Sequence, residues 1–165
     1  MSARRLGTAC LAAMVIAAVG DASAHVPLQP PGSLLVRVDL SVAGARYSAK
    51  GPGDCNYSPS SRVHDAPGQM WRVRRRDANR ELVFTGWRLG KTDSFTLQVT
   101  LDGRTHRINT LQVGPPNERA GSGAVRYEQR GRSGQFTISA VADTGAKISG
   151  TLSCSGFVPP ADTAD

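Results

Sequence analysis

The chain has few cysteines and few aromatic residues, and past its first 24 residues it lacks the apolar period of an amphipathic helix. Three cysteines occur in 165 residues, and aromatic residues make up 5% of the chain. Without a sustained 3.6-residue apolar repeat, a helical bundle or an alternating α/β fold is excluded. The longest apolar run, Ala9–Val19, has about eleven residues and is too short to cross a bilayer as a helix.

The N-terminal segment has the features of a secretory signal peptide. Arg4 and Arg5 form a positive start, and the apolar run Ala9–Val19 follows. Ala22-Ser23-Ala24 then supplies the small residues that signal peptidase prefers, so cleavage before His25 is expected. The sequence therefore predicts export to the periplasm or the extracellular space, with no transmembrane segment in the mature chain.

The rest of the chain reads as one domain with two short ends. Residues 1–24 are the cleaved peptide, and residues 25–32 contain three prolines and predict an extended leader. Residues 33–158 form a single domain, long enough for one hydrophobic core. The small, acidic residues 159–165 predict a disordered tail.

The two cysteines of the mature chain predict one disulfide. Cys10 is removed with the signal peptide, which leaves Cys55 and Cys154 in an oxidising compartment. A metal-binding cysteine pair is the alternative. Neither cysteine has a second cysteine or a histidine at short ligand spacing, so the disulfide is favoured.

Apolar and polar residues alternate along much of the mature chain. Leu34–Val42 alternates over nine residues and predicts a half-buried strand. After Gly44 a short strand around Tyr47 leads into a turn-rich stretch, 51–54. The clearest hairpin has Asp102-Gly103 as a type I′ turn, which places Val99 opposite His106. A second hairpin joins 71–76 to 81–89.

This pattern predicts an all-β fold of eight or nine short strands. The spacing of about 8–12 residues between strands favours an antiparallel β-sandwich of immunoglobulin-like type, with one disulfide. A small β-barrel is the alternative. Either scaffold supports many functions, so the fold alone does not name one.

The basic charge suggests an anionic partner. The formal net charge is +7, and Arg72, Arg74 and Arg76 alternate along one predicted strand, with Arg88 nearby. Their spacing of about 6.8 Å suits a repeating anion. The candidate partners are an anionic envelope polymer, a lipid head group or an acidic protein. Few aromatics and no RNA-binding signature disfavour nucleic acid. The alternative is a solvated strand face.

A mature N-terminus at His25 opens a second hypothesis. Its free α-amine and imidazole could chelate copper, with His64 or His106 supplying a further nitrogen. Such a site resembles the histidine brace of exported copper carriers and lytic polysaccharide monooxygenases. The resemblance implies copper as a cofactor and rests on His25 alone.

An unrecognised hydrolase is the third hypothesis. The chain has no G-x-S-x-G elbow, no H-E-x-x-H pair and no P-loop. Histidine, serine and carboxylate side chains could still meet in space, as they do in unrelated triads. The favoured function is nevertheless a non-catalytic binding or envelope accessory module without a cofactor.

Overall fold

A computed structural model describes residues 34–160. The predicted signal peptide, the leader with His25, and residues 161–165 lie outside this range. Within this range, nine strands and one short 3₁₀ helix follow one another. They are β1 (Leu34–Val42), β2 (Ala45–Val63), β3 (Ala66–Asp77), β4 (Arg80–Leu89), β5 (Thr92–Leu101), β6 (Arg104–Asn109), the helix (Pro116–Glu118), β7 (Ser122–Arg130), β8 (Ser133–Val141) and β9 (Lys147–Cys154).

All nine strands belong to one antiparallel sheet, in the order β6-β5-β4-β3-β2-β1-β9-β8-β7. Every pair of neighbouring strands in the sheet is antiparallel. Because the number of strands is odd, the two edge strands, β6 and β7, run in the same direction. They therefore do not continue the antiparallel ladder. Instead, Asn109 bridges to Ala120, and the Arg107 N–H donates to Asp143 Oδ1.

The all-β prediction is confirmed, and the barrel alternative describes the architecture. The single sheet curls until its two edge strands nearly meet, so it forms a nearly closed barrel around one core. The predicted strand Leu34–Val42 is confirmed, with its even-numbered residues from Val36 to Val42 buried. The type I′ turn at Asp102-Gly103 is confirmed by its positive φ angles, and Val99 lies opposite His106.

The prediction of a short second strand was wrong. β2 runs without interruption through the stretch that was interpreted as turns, residues 51–54. Pro52 is tolerated because β2 does not begin to pair with β3 until Asp54, opposite Arg74, so no ladder bond to β3 needs an N–H from Pro52. The free carbonyl of Pro52 accepts a hydrogen bond from Arg75 Nη1 at 2.9 Å.

The predicted disulfide is confirmed between Cys55 and Cys154, whose Cα atoms lie 6.2 Å apart. It ties the end of β9 to the middle of β2. The chain then turns, and Val158 pairs in parallel with Asn56 of β2, beyond the residues of β2 that pair with β1. Phe157 packs edge-on against Phe136, so this last segment covers the core at that end.

One buried arginine lies in the interior face of β3. Arg75 is 7% exposed, and it contacts the Asp77 carboxylate, which also accepts a hydrogen bond from the buried Tyr47 hydroxyl at 3.4 Å. Burial and the nearby Asp77 raise the pKa of Tyr47 to about 12. A Cβ atom at Gly51 would lie 2.8 Å from Arg75 Nη1, so a larger residue there would displace the guanidinium.

Candidate functional site

Three of the four arginines of β3 lie on the outer side of the barrel. Arg72, Arg74 and Arg76 alternate with buried Val73 and Arg75, because successive strand residues point to opposite faces. We call this surface the arginine face. The three side chains project into solvent, as the alternation predicts.

Glu81 of β4 neutralises much of this face. Its Oε1 accepts hydrogen bonds from Arg76 Nη2 at 2.8 Å and from Arg74 Nη2 at 3.3 Å. The hydrogen bond from Arg76 contributes most to holding the pKa of the Glu81 carboxyl below its usual value, and the bond from Arg74 acts in the same direction. Asp54 adds a second carboxylate beside an open depression of about 420 Å³ that Arg74 and Arg76 also line. The local charge is therefore smaller than three arginines suggest.

Arg88 does not join the arginine face. It shares the parity of the buried Phe84 on β4 and lies on the interior side, at the mouth of the barrel. Its guanidinium lies 5.6 Å from the ring centroid of Trp71 and makes two hydrogen bonds to Asp93, at 2.7 and 2.9 Å. The bonds to Asp93 raise the pKa of Arg88. Arg88 thus closes the aromatic end of the core.

The aromatic residues explain why this end of the barrel is closed. Trp71 is buried, and its ring stacks on Tyr57 and contacts Tyr127 at a centroid distance of 4.6 Å. Burial raises the pKa of Tyr127. The parity of Trp71 places it on the opposite side of the sheet from the arginine face. Trp87 alternates with the buried Gly86 and lies on the outer side of β4.

The two described histidines lie at opposite ends of the sheet. His64 occupies the tip of the β2–β3 hairpin, and its Nε2 lies 3.2 Å from Glu118 Oε2. His106 lies near the β5–β6 turn, and its Nδ1 lies 2.7 Å from Thr144 Oγ1. His25 lies outside the described residues.

This placement bears on both chemical hypotheses. Within residues 34–160, no group of three histidine, cysteine or acidic side chains could hold a metal ion. Neither histidine meets a carboxylate and a hydroxyl together in the described part of the chain, so neither has the environment of a triad base.

Sequence reasoning missed a second basic surface, which begins on β2, the strand next to β3. A groove of about 470 Å³ crosses the outer side of β1, β9, β8 and β7 and reaches Lys50 of β2. We call it the cross-strand groove. In it, Arg37 lies directly opposite Lys50. The sequence does contain a signal for this pair, because counting residues along both strands away from the Ala43-Gly44 turn places Arg37 opposite Lys50.

Comparisons with known proteins do not assign this chain to a family. No protein-family model, no curated protein and no solved structure matches this chain. Within residues 34–160, no helix has the length and the apolar character to span a membrane.

Proposed function

We propose that this chain is an exported, non-catalytic binding protein that holds an anionic partner of the cell envelope on its outer surface. The barrel interior is filled by side chains, among them the fully buried Tyr47, Phe84, Phe95 and Phe136. A barrel whose interior is filled in this way binds ligands on its outer surface rather than in a central cavity.

One observation carries the proposal. Arg37 and Lys50 project outward, and neither has a carboxylate within 4.0 Å among the described residues. Uncompensated surface cations on a chain of net charge +7 attract polyanions and release their counterions on binding. The disulfide suits an oxidising compartment.

The test is the salt dependence of binding to a defined polymer. Fluorescently labelled polygalacturonate is titrated with the mature protein at several salt concentrations, with neutral dextran of matched length as the control. We expect the affinity for polygalacturonate to fall steeply between about 50 and 200 mM salt. Equal binding to dextran, or binding that salt does not change, would contradict the proposal.

A further inference from the structure

The cross-strand groove contains a continuous row of side chains perpendicular to the strands. Lys50 of β2 lies opposite Arg37 of β1, which lies opposite Ser153 of β9. Ser153 lies opposite Gln135 of β8, and Gln135 lies opposite Glu128 of β7. Five neighbouring strands therefore contribute one side chain each, over a distance of about 19 Å.

The row begins with two like charges in direct opposition. Arg37 and Lys50 are exposed cross-strand partners, and such a pair destabilises a sheet. No carboxylate among residues 34–160 lies within 4.0 Å of either side chain. An anion between them would relieve their repulsion and accept charge-assisted hydrogen bonds.

The rest of the groove offers neutral donors and acceptors. Ser153 and Gln135 are half-buried in the middle of the row, where a serine hydroxyl and an amide can both donate and accept hydrogen bonds. At the far end Glu128 lies 3.7 Å from Arg130, and its other oxygen lies 3.3 Å from Arg126. This carboxylate is therefore compensated, and Arg130 adds a third cation to the lining.

From this arrangement we infer that the cross-strand groove binds an acidic polysaccharide laid across the strands. The inference rests on the proposed function and names its site and ligand class. Anionic groups of the polymer lie between Arg37 and Lys50, and neighbouring sugar hydroxyls bond to Ser153 and Gln135. Among residues 34–160, no aromatic side chain lines the groove for the stacking that single-stranded nucleic acid uses. Leu35 alone gives too little exposed apolar surface for insertion into a lipid bilayer.

The test compares two double variants that lose the same charge. In the first, Arg37→Gln and Lys50→Gln remove the opposed pair of the groove. In the second, Arg74→Gln and Arg76→Gln remove two cations of the arginine face. Both are titrated with polygalacturonate, neutral dextran, phosphatidylglycerol vesicles and a single-stranded DNA oligomer, and circular dichroism confirms that each variant is folded.

We expect the groove variant to bind polygalacturonate at least about tenfold more weakly than the parent, because it loses charge-assisted hydrogen bonds. For this variant, the plot of log affinity against log salt concentration should become less steep by about two units, one for each cation removed. The arginine-face variant should change affinity by less than about threefold, as expected for cations already paired at the surface.

Three outcomes would overturn the inference. Equal losses in the two variants would show that net charge alone binds the polymer and would leave the proposed function intact. Tighter binding of the parent to vesicles or DNA than to polygalacturonate would assign a different ligand class. A parent that binds none of the anionic probes would overturn the proposed function as well.

Discussion

The arginine face and the cross-strand groove each present three cations on the outside of one barrel, yet they differ in what surrounds those cations. On the arginine face, Glu81 bonds to Arg74 and Arg76 together. In the groove, Arg37 and Lys50 face each other without a carboxylate within 4.0 Å in the described part of the chain. We infer from this comparison that compensation, rather than the number of cations, decides which surface is free to bind.

The largest effect should come from the disulfide, which also supports the groove. Cys154 lies in the groove lining and is bonded to Cys55. Cys154→Ser should lower the free energy of unfolding by about 2–5 kcal/mol, because the bridge closes a long loop in the unfolded chain. The measurement is a denaturant unfolding curve. Cys55→Ser is the matched control and should give the same midpoint as Cys154→Ser; a parental midpoint in either variant would contradict a stabilising bridge.

The next largest effect should be a gain of binding on the arginine face. Glu81→Gln removes the carboxylate that Arg74 and Arg76 share, so this surface should acquire several-fold tighter binding to polygalacturonate, roughly the effect of one or two charge contacts. Asp102→Asn removes one negative charge from a distant turn and is the control. If both variants gain equally, local compensation does not distinguish the two surfaces.

Acidic pH should reproduce part of that gain in the parent. Arg76 and Arg74 hold the pKa of Glu81 below its ordinary value of 4.5, so folding favours the charged carboxylate. The stability from this group is complete above pH 4.5 and is lost as the pH falls through the lowered pKa. Below that pH, Glu81→Gln and the parent should converge in unfolding midpoint and in affinity for dextran sulfate, which stays ionised. A constant difference between them down to the lowest pH that preserves the fold would contradict this assignment.

The smallest expected effect is on the free energy of unfolding, which the two opposed cations of the groove lower. Arg37→Gln should raise the free energy of unfolding by about 0.2–1 kcal/mol at low salt, because it removes a repulsive cross-strand pair. Arg46→Gln is the control, since Arg46 bonds to Asp39 at 3.2 Å and its loss should not stabilise the protein. Thermal unfolding at 20 and 500 mM salt measures both. A stabilisation that persists at high salt would not be electrostatic.

Much of the fold could be predicted because local signals agreed with one another. At Asp102-Gly103, turn chemistry and the alternation of both flanking strands give the same register, and the structure has that register. The stretch 51–54 gave a conflicting signal, since glycine and proline favour turns. There the sheet overrode local preference, because β2 changes its partner from β1 to β3 where Pro52 needs no ladder bond to β3.

The candidate sites were harder to predict than the strands. Alternation placed Arg72, Arg74 and Arg76 on one face, and the hairpin register placed Arg76 opposite Glu81, as the structure has it. Alternation also places Arg88 with the buried Phe84, on the opposite side from those arginines. Side-chain geometry lets two arginines share Glu81, and pairing between strands far apart in sequence brings five strands together at the groove. A single sequence contains neither kind of information.

The most direct test of the central claim is an NMR titration of the isotopically labelled mature protein with polygalacturonate oligomers. We predict that the largest chemical-shift changes occur at the amides of Arg37, Lys50, Ser153 and Gln135, and that they decrease as salt is added. The amides of β3 should change little. Largest changes along Arg72–Arg76, or no changes at any salt concentration, would contradict the account.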